Sequence, residues 1–309
     1  MTATRKRTAS WFADTAFPLC LENKKTPRVI LEVTHMKRRL SLLVSAIASC
    51  VVLGTGSAHA DQLADVKASG KLVCGVLDIF EPFGYTDTKT RSVVGYDVDV
   101  CEAVSKKLGV KAEIKPVSIE ARIPELRQKH MDLLSAGLAY TPQRAEQVSF
   151  SDAYYVSENV LAVKTSRGFK QSSDLDGKRI SFVKGSISEA YIREKLPKAT
   201  PVGFEDVSTG FTALVQNKVV GYSTSEEVVQ KLVNRLGDKA SEYTVLQPAI
   251  GREVWGLGVR KDEPAMLEAV NTALRDLESS GEMQAIFDKW LGAQTLYKMN
   301  RSFKVEAIK

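Results

Sequence analysis

Histidine and cysteine are scarce in this chain, with three and four residues respectively in 309. After residue 60 only His130, in a polar turn, and the cysteines Cys74 and Cys101 remain. A zinc site or a Ser-His-Asp triad needs more of these residues than remain. The composition therefore argues against both sites in residues 61–309. We expect no metal, no cofactor and a solvent-exposed His130.

A long apolar run is also missing. The longest stretch, residues 40–53, is too short and too rich in Ser and Gly to be a good membrane span. It follows basic residues at 37–39 and precedes the small-residue sequence Ala-His-Ala at 58–60. This order is typical of a secretory signal, so residues 1–60 are predicted to be a presequence with a signal peptide at 36–60.

Two processing sites are open within this presequence. Cleavage after Ala60 releases a soluble periplasmic protein, whereas Ile-Ala-Ser-Cys at 47–50 resembles a lipoprotein box that would leave Cys50 lipidated. The residues after Cys50 are apolar, unlike the polar tether of a lipoprotein, which favours cleavage after Ala60. Residues 1–35 are polar and patternless, and Met36 is the expected first residue.

An excess of one charge is absent from the rest of the chain. The formal net charge is +6, but residues 1–60 carry nine Lys or Arg and three Asp or Glu. Residues 61–309 therefore hold 34 charges of each sign and are neutral. Because no basic stripe interleaved with aromatics occurs either, we expect no nucleic acid or anionic membrane as a partner.

Beyond residue 60 the chain shows a regular alternation of strand-like and helix-like segments. The predicted strands are 71–77, 111–117, 132–136, 160–164, 179–183, 219–224, 243–247 and 254–260. The predicted helices are 98–108, 123–128, 142–148, 186–195, 208–217, 225–236, 264–280 and 282–291. Such alternation is typical of α/β sheets covered by helices, and a chain of this length can bury one large core or two medium ones.

Residues 136–145 carry the most specific functional signal. An apolar strand ends at Ser135, and a small-residue turn leads to a helix start with Thr141 at the N-cap and Pro142 at the first helical position. Arg144 then lies at the positive end of the helix dipole, where a cation is normally disfavoured. An anion there would be held by the guanidinium and the free N–H groups, which predicts a carboxylate pocket. A solvated surface arginine is the alternative.

The two remaining cysteines also have two interpretations. In an exported chain, Cys74 and Cys101 form an even pair that is readily a disulfide. They could equally be two small buried apolar residues, since free cysteine is often buried. Both lie near the apolar face where the predicted strand 71–77 meets the predicted helix 98–108, so their approach is plausible.

Eight segments, in this order, resemble periplasmic amino-acid-binding proteins of the family 3 solute-binding class, the soluble parts of ABC importers. They are GKLVCGV (70–76), EPFGY (81–85), VGYDVDV (94–100), ARIPEL (121–126), TPQRAEQVSFSD (141–152), GKRI (177–180), KGS (184–186) and GEMQAIFDKWLG (281–292). Each segment is weak alone, but their order and spacing are specific. The cysteine pair is similar to that of general amino-acid binders in this class, and we expect a Cys74–Cys101 disulfide.

The resemblance implies an α/β fold with two lobes. Two doubly wound sheets are expected, joined by two crossover strands, with the ligand between the lobes. The first lobe would comprise residues 61–156 and 257–309. The second lobe, with the two hinge strands, would be inserted between them at 157–256. Ligands of open α/β sheets bind beyond the carboxyl ends of the strands, which agrees with this arrangement.

The resemblance also assigns one half of the ligand site to the segment before Arg144. Arg144 occupies the position of an arginine that clamps the ligand carboxylate. Ala139 occupies a position where a backbone N–H meets the same carboxylate. Gly137 occupies a position where a backbone carbonyl accepts from the ligand ammonium group.

The other half of the implied site comes from two further segments. Ser186 and Ile187 open the helix whose N–H groups reach the ligand from the second lobe. Phe80 occupies the aromatic position that covers the ligand side chain. Arg122 faces the cleft in some binders of acidic amino acids, but its motif is common in the family and receives little weight.

One departure from the family pattern concerns the ligand ammonium group. The family has an aspartate just after the strand 219–224, where this chain has Ser225 followed by Glu226 and Glu227. A buried ammonium without an ionic partner is costly. Glu226 could take the role, Ser225 or other neutral groups could hold the amine, or the ligand could lack an α-amine. Leu77, where binders of acidic amino acids carry arginine, counts against glutamate and aspartate.

The function implied is that of a monomeric extracytoplasmic binding protein. It would capture an amino acid between two closing lobes and deliver it to the membrane permease of an ABC importer, without enzyme activity. Two alternatives remain open. One is an enzyme on the same scaffold, similar to cyclohexadienyl or prephenate dehydratases, although no paired set of catalytic groups is visible. The other is a receptor for a carboxylate that lacks an α-amine.

Overall fold

The computed structural model describes residues 61–309, and the fold is reported for these residues. The predicted presequence, with cleavage after Ala60 and the alternative lipidation at Cys50, lies outside the described residues. Within 61–309 no helix is long and apolar enough to cross a membrane. Over the same range no three His, Cys, Asp or Glu side chains are grouped so that they could hold a metal ion.

The fold alternates strands and helices, as the sequence predicts. The strands are β1 Lys71–Val76, β2 Ile79–Phe80, β3 Gly84–Thr86, β4 Val93–Val94, β5 Lys111–Pro116, β6 Leu133–Leu134, β7 Val148–Lys164, β8 Arg179–Val183, β9 Thr200–Phe204, β10 Gly221–Ser225 and β11 Tyr243–Arg260. The helices are α1 Gln62–Ser69, α2 Tyr96–Leu108, α3 Arg122–Arg127, α4 Pro142–Ala145, α5 Ser188–Lys195, α6 Val207–Val215, α7 Glu226–Asn234, α8 Pro264–Ser279 and α9 Glu282–Leu291. Short 3-10 helices occur at Thr165–Arg167, Ser172–Leu175 and Gly237–Glu242.

Three predicted strands are parts of two longer strands. The predicted strand 160–164 is only the end of β7, because Ser149, Ser151 and Asp152 interrupt the apolar pattern without ending the strand. The predicted strands 243–247 and 254–260 are one strand, β11, whose pairing register shifts in the middle.

The helix predicted to begin at Ser186 begins two residues later. Its first residue is Ser188, and Ile187 is the N-cap residue with no side-chain capping bond.

Eight strands form one sheet in the order β5-β1-β6-β11-β7-β10-β8-β9. Strands β5, β1 and β6 are parallel at one end, and β10, β8 and β9 are parallel at the other. The long strands β7 and β11 run antiparallel to each other between the two groups. The two expected sheets are therefore present as two parallel groups, continuous through the two crossover strands.

Each end of the sheet carries its own apolar core residues. A compact cluster at the β8–β9 end contains Leu161, Leu175, Ile180, Phe182 and Ile192. At the β5–β1 end, helix α2 packs on β1 and β5 and against α8 and α9. Burial of these apolar faces is the main term that stabilises both ends.

A disulfide joins strand β1 to helix α2 in the second of these cores. Cys74 and Cys101 are both fully buried and are bonded to each other. The predicted disulfide is therefore present, and the interpretation as two free apolar residues is not needed. The bond ties the first strand to the helix that packs on it.

We predict that reduction of this disulfide destabilises the protein by about 3 kcal/mol, because the bond closes a loop in the unfolded chain. The bonded residues are 27 apart in the sequence. Urea unfolding of the oxidised and the reduced wild type measures the effect without changing any side-chain volume. Equal unfolding midpoints, or two alkylatable thiols in the non-reduced periplasmic protein, would contradict the prediction.

Candidate functional site

The candidate site lies between the two groups of parallel strands, at or just beyond the carboxyl ends of four strands. Phe80 follows β1, Gly137 follows β6, Ser186 follows β8, and Ser225 is the last residue of β10. Because parallel strands end at a common edge, these four residues, distant in sequence, are brought to one place.

The segment before β7 forms the helix start that its sequence predicts. Thr141 is extended, and its hydroxyl accepts from the Arg144 N–H at 3.1 Å, while Pro142 is the first helical residue. The Arg144 guanidinium donates from Nη1 to the Ala139 carbonyl at 2.7 Å and from Nη2 to the Gly185 carbonyl at 2.9 Å. The side chain therefore bridges its own loop and the loop between β8 and α5.

Asp97 holds the loop at Gly137, and sequence reasoning missed it. The Gly137 N–H donates to Asp97 Oδ2 at 2.9 Å, and the Tyr154 hydroxyl donates to Oδ1 at 2.8 Å. Burial raises the pKa of Asp97 to about 7, although these two hydrogen bonds lower it. Gly137 has a φ of 54°, and a Cβ there would lie 3.1 Å from the Phe80 ring. The position therefore favours glycine.

Arg122 is a second guanidinium beside the same loop, and it is buried, whereas Arg144 is half-buried. Its Nη1 donates to the Ala136 carbonyl at 2.6 Å and to the Gly137 carbonyl at 3.1 Å, and its Nη2 lies 3.4 Å from the Gly185 carbonyl. Burial, and then repulsion from Arg144, lowers the pKa of Arg122 to about 9. The Gly137 carbonyl, expected to accept from a ligand ammonium, thus already accepts from a cation that would repel one.

These residues line a narrow cavity of about 20 Å³. Its lining residues are Phe80, Ile119, Arg122, Gly137, Ala139, Arg144, Val183, Ser186, Ile187, Ser188, Thr224, Ser225 and Glu253. Seven of the eight sequence-predicted ligand residues are therefore gathered around one cavity.

The eighth residue, Glu226, is not at this cavity. It lines a separate pocket of about 530 Å³ with Tyr243 and Tyr297. Ser225 ends strand β10 and faces the candidate site, so the next residue, the first of helix α7, is directed elsewhere. The structure does not support Glu226 as a residue of the candidate site.

A different carboxylate, Glu253, lines the cavity and was also missed. Its side chain is 5% exposed and accepts from Asn159 Nδ2 at 2.6 Å, from Trp255 Nε1 at 2.9 Å and from the Ser225 hydroxyl at 3.3 Å. Burial lowers the pKa of Arg144, and the negative charge of Glu253 opposes that shift. The two side chains therefore interact across the cavity.

Ser186 offers a polar group without a partner. Its hydroxyl is buried and has no hydrogen-bond partner within residues 61–309. It lines the cavity just before helix α5, beside Ser188, whose hydroxyl accepts from Asn159 Nδ2 at 2.8 Å. An unpaired buried hydroxyl is costly, and a ligand in the cavity would satisfy it.

Comparison with known proteins defines the family. The family of bacterial extracellular solute-binding proteins, family 3, matches residues 72–293, and the chain belongs to it. A glutamine-binding protein of a Bacillus subtilis ABC transporter is 29% identical over 271 residues, which cover 83% of this chain and 98% of that protein. An L-cystine-binding protein of Escherichia coli is 26% identical over 267 residues, covering 85% and 98%. An ancestral arginine-binding protein bound to arginine superimposes with a TM-score of 0.67 and 32% identity, covering 72% of this chain and 99% of that one.

These comparisons confirm the family and the fold inferred from the sequence motifs. The structural neighbours are two-lobe periplasmic binding proteins, and the named relatives are substrate-binding proteins rather than enzymes. The chain is accordingly a solute-binding protein, and the alternative of a dehydratase-like enzyme is not favoured.

Beside the site, a second buried glutamate fastens helix α7 to strand β7. The Glu227 side chain accepts from the Tyr155 hydroxyl at 2.8 Å and from the Ser157 hydroxyl at 2.6 Å, and the residue is 2% exposed. Burial raises its pKa to about 7, although both hydroxyls lower it. The nearby Glu253 adds to the increase.

We predict that Glu227→Gln flattens the pH dependence of stability. The folded-state pKa lies above the unfolded value of about 4.3, so the folded protein holds the proton more tightly. The stability that the protonated Glu227 contributes is fully present below the unfolded pKa and is lost as the pH rises through about 7. The wild-type melting temperature should therefore fall from pH 5 to pH 8, and Glu227→Gln should reduce that fall.

Glu226→Gln is the matched control, because it neutralises the adjacent, half-buried glutamate. Its melting temperature should follow the wild-type pH profile. A Glu227→Gln profile parallel to that of the wild type would contradict the assignment.

Proposed function

We propose that this protein captures an amino acid in the cavity between its two lobes and delivers it to the membrane permease of an ABC importer. The observation that carries the proposal is that a guanidinium, Arg144, and a carboxylate, Glu253, both line one cavity. An amino-acid zwitterion has the complementary pair of charges. The glutamine, cystine and arginine specificities of the relatives support this ligand class.

The proposed lobes are residues 61–156 with 257–309, and the inserted segment 157–256 with the hinge strands. This division is supported by the two groups of parallel strands, which are connected through β7 and β11. The protein is proposed to act as a monomer.

In the proposed binding mode, the ligand carboxylate meets Arg144 and the N–H of Ala139. A guanidinium has five N–H donors, and the two hydrogen bonds to Ala139 and Gly185 leave three of them for a carboxylate. The Ser186 hydroxyl and the backbone N–H of Ile187 approach from the opposite lobe. Phe80 covers the ligand side chain.

Export is part of the proposal, since an importer collects its solute outside the cytoplasm. The signal peptide at 36–60, with cleavage after Ala60, would release the protein into the periplasm. Lipidation at Cys50 is the alternative, in which the protein would stay attached to the membrane.

Thermal-shift screening with L-amino acids and small carboxylates tests the proposed function. Saturation at 100 times the dissociation constant stabilises a protein by about 2.7 kcal/mol, so at least one amino acid should raise the melting temperature. Arg144→Ala should weaken its binding by on the order of 2–5 kcal/mol, because the desolvated carboxylate loses its partner. Arg144→Lys should recover little of this binding, since lysine lacks the two parallel N–H donors with which a guanidinium binds a carboxylate.

Arg127→Ala, at an exposed arginine of the same lobe, is the control and should bind as the wild type does. If no amino acid gives a shift, the proposed function is wrong. If Arg144→Ala binds as tightly as the wild type, the carboxylate site lies elsewhere.

Closure of the lobes follows from the size of the cavity, because a volume of about 20 Å³ admits an amino acid only after the walls separate.

An ion cluster links the proposed lobes at the edge of the cleft. Glu81, next to Phe80, contacts Lys231 at 2.6 Å and also pairs with Arg235. Lys231 lies on helix α7 and Arg235 lies directly after it, both in the other lobe. The cluster therefore stabilises the closed form and not the open form.

We predict that Glu81→Gln shifts the protein towards the open form and weakens ligand binding about two- to fivefold, the usual effect of a partly exposed ion pair. Small-angle scattering should show a smaller radius of gyration with saturating amino acid than without it. In Glu81→Gln, more amino acid should be needed for the same decrease.

Glu113→Gln is the control, because it breaks the ion pair with Lys71, which lies within one lobe. This variant should bind and close as the wild type does. An unchanged affinity in Glu81→Gln would remove the cluster from the closing equilibrium.

A further inference from the structure

We infer that Glu253 is the residue that selects ligands with an α-ammonium group. The inference rests on the proposed function and assigns the group that the family places after the strand equivalent to β10. Glu253 lies in β11, at the crossover between the lobes, and is almost fully buried. It lines the same cavity as Arg144 and carries the opposite charge.

All hydrogen-bond donors to Glu253 are neutral. They are the Asn159 amide, the Trp255 indole N–H and the Ser225 hydroxyl. Within residues 61–309 Glu253 belongs to no ion pair. A buried carboxylate without a cation in contact is costly, and a ligand ammonium would supply that cation.

The carboxylate has room for such a donor. An ionised carboxylate accepts about four hydrogen bonds, and three are present. Oε2 accepts from Trp255 and Ser225, whereas Oε1 accepts from Asn159 alone. The unused acceptor site is therefore on Oε1, and the carboxylate lines the cavity.

Asn159 holds Glu253 in this orientation and acts as a positioning residue. It is fully buried, its Nδ2 donates to Glu253 and to the Ser188 hydroxyl, and its Oδ1 accepts from the Ser223 hydroxyl at 2.6 Å. These contacts connect strands β7, β10 and β11 with the start of helix α5. The orientation of the carboxylate is thus set by both crossover strands.

The competing candidates are less suitable. Glu226 lines another pocket, and both oxygens of Glu227 already accept from hydroxyls away from the cavity lining. The Gly137 carbonyl accepts from the Arg122 guanidinium, whose charge would repel an ammonium. Ser225 lines the cavity and its hydroxyl oxygen can still accept from an ammonium, but it is neutral, so the ammonium would lack an opposing charge. The ammonium is therefore directed to Glu253, and the ligand lies with its carboxylate towards Arg144.

Isothermal titration with matched pairs of ligands tests the inference. The pairs are L-alanine and propanoate, L-glutamine and 4-carbamoylbutanoate, and L-arginine and 5-guanidinopentanoate. Each pair differs only in the α-ammonium group. The pair with the tightest wild-type binding is then measured with Glu253→Gln, and the double comparison separates the charge pair from general damage to the cavity.

We expect the wild type to prefer the amino acid over its desamino partner by at least about 100-fold, since a buried charge pair is lost without the amine. Glu253→Gln should reduce this preference to less than about tenfold, mostly by weakening the amino acid. Glu253→Asp, which keeps the charge on a shorter side chain, should retain part of the preference. Glu227→Gln, at a buried glutamate outside the cavity, is the matched control and should keep the full wild-type preference for the amino acid.

Three outcomes would overturn the inference, and they separate it from the proposed function. If Glu253→Gln keeps the wild-type preference, Glu253 is not the ammonium partner, while the amino-acid receptor stands. If the wild type binds the desamino acid more tightly, the protein is a carboxylate receptor. If no member of any pair binds and no L-amino acid raises the melting temperature, the amino-acid function itself fails. Melting curves of each variant show whether a loss of binding reflects unfolding.

Discussion

The antiparallel pairing of β7 with β11 is the constraint on which the rest of the structure depends. It runs from the pair Lys164 and Tyr243 at one end to Val148 and Arg260 at the other. All other strands of the large sheet add to this two-stranded ribbon on one side or the other. Because backbone hydrogen bonds fix the register, they also fix which side chains meet at its centre, where Asn159 lies near Glu253.

The polar groups near this centre are organised around two oppositely charged regions. On one side, Arg122 and Arg144 are desolvated and are satisfied mainly by backbone carbonyls. On the other, Glu253 is satisfied by neutral side chains. Charges that are already oriented favour binding of a dipolar solute without large rearrangement of the protein. The free-energy cost of orienting them is met during folding.

Much of the fold and part of the site could be predicted from the sequence, because these features depend on residues that are close together in the chain. The helix start from Thr141 to Arg144 depends on neighbouring residues and forms as the sequence indicates. Strand β8 and helix α9 have the predicted bounds for the same reason.

The missed site residues depend on contacts that are distant in sequence. Glu253 meets Asn159 across 94 positions, and only the pairing of β7 with β11 brings them together. Arg122, by contrast, is named from the sequence but receives little weight, because the backbone carbonyls that hold it leave no signal in side-chain types. Glu226, one of the predicted partners of the ligand ammonium, lines a different pocket, because it begins helix α7 directly after β10.

The carbonyl of Gly185 has a kinetic consequence. It accepts from Arg144 and lies within reach of Arg122, and a Cβ at this glycine would be 2.7 Å from the Glu120 Cα. The loop between β8 and α5 is therefore seated directly against Glu120 and the two arginines. If a solute enters only after these contacts break, the association rate constant lies below the diffusion limit and reports on these hydrogen bonds.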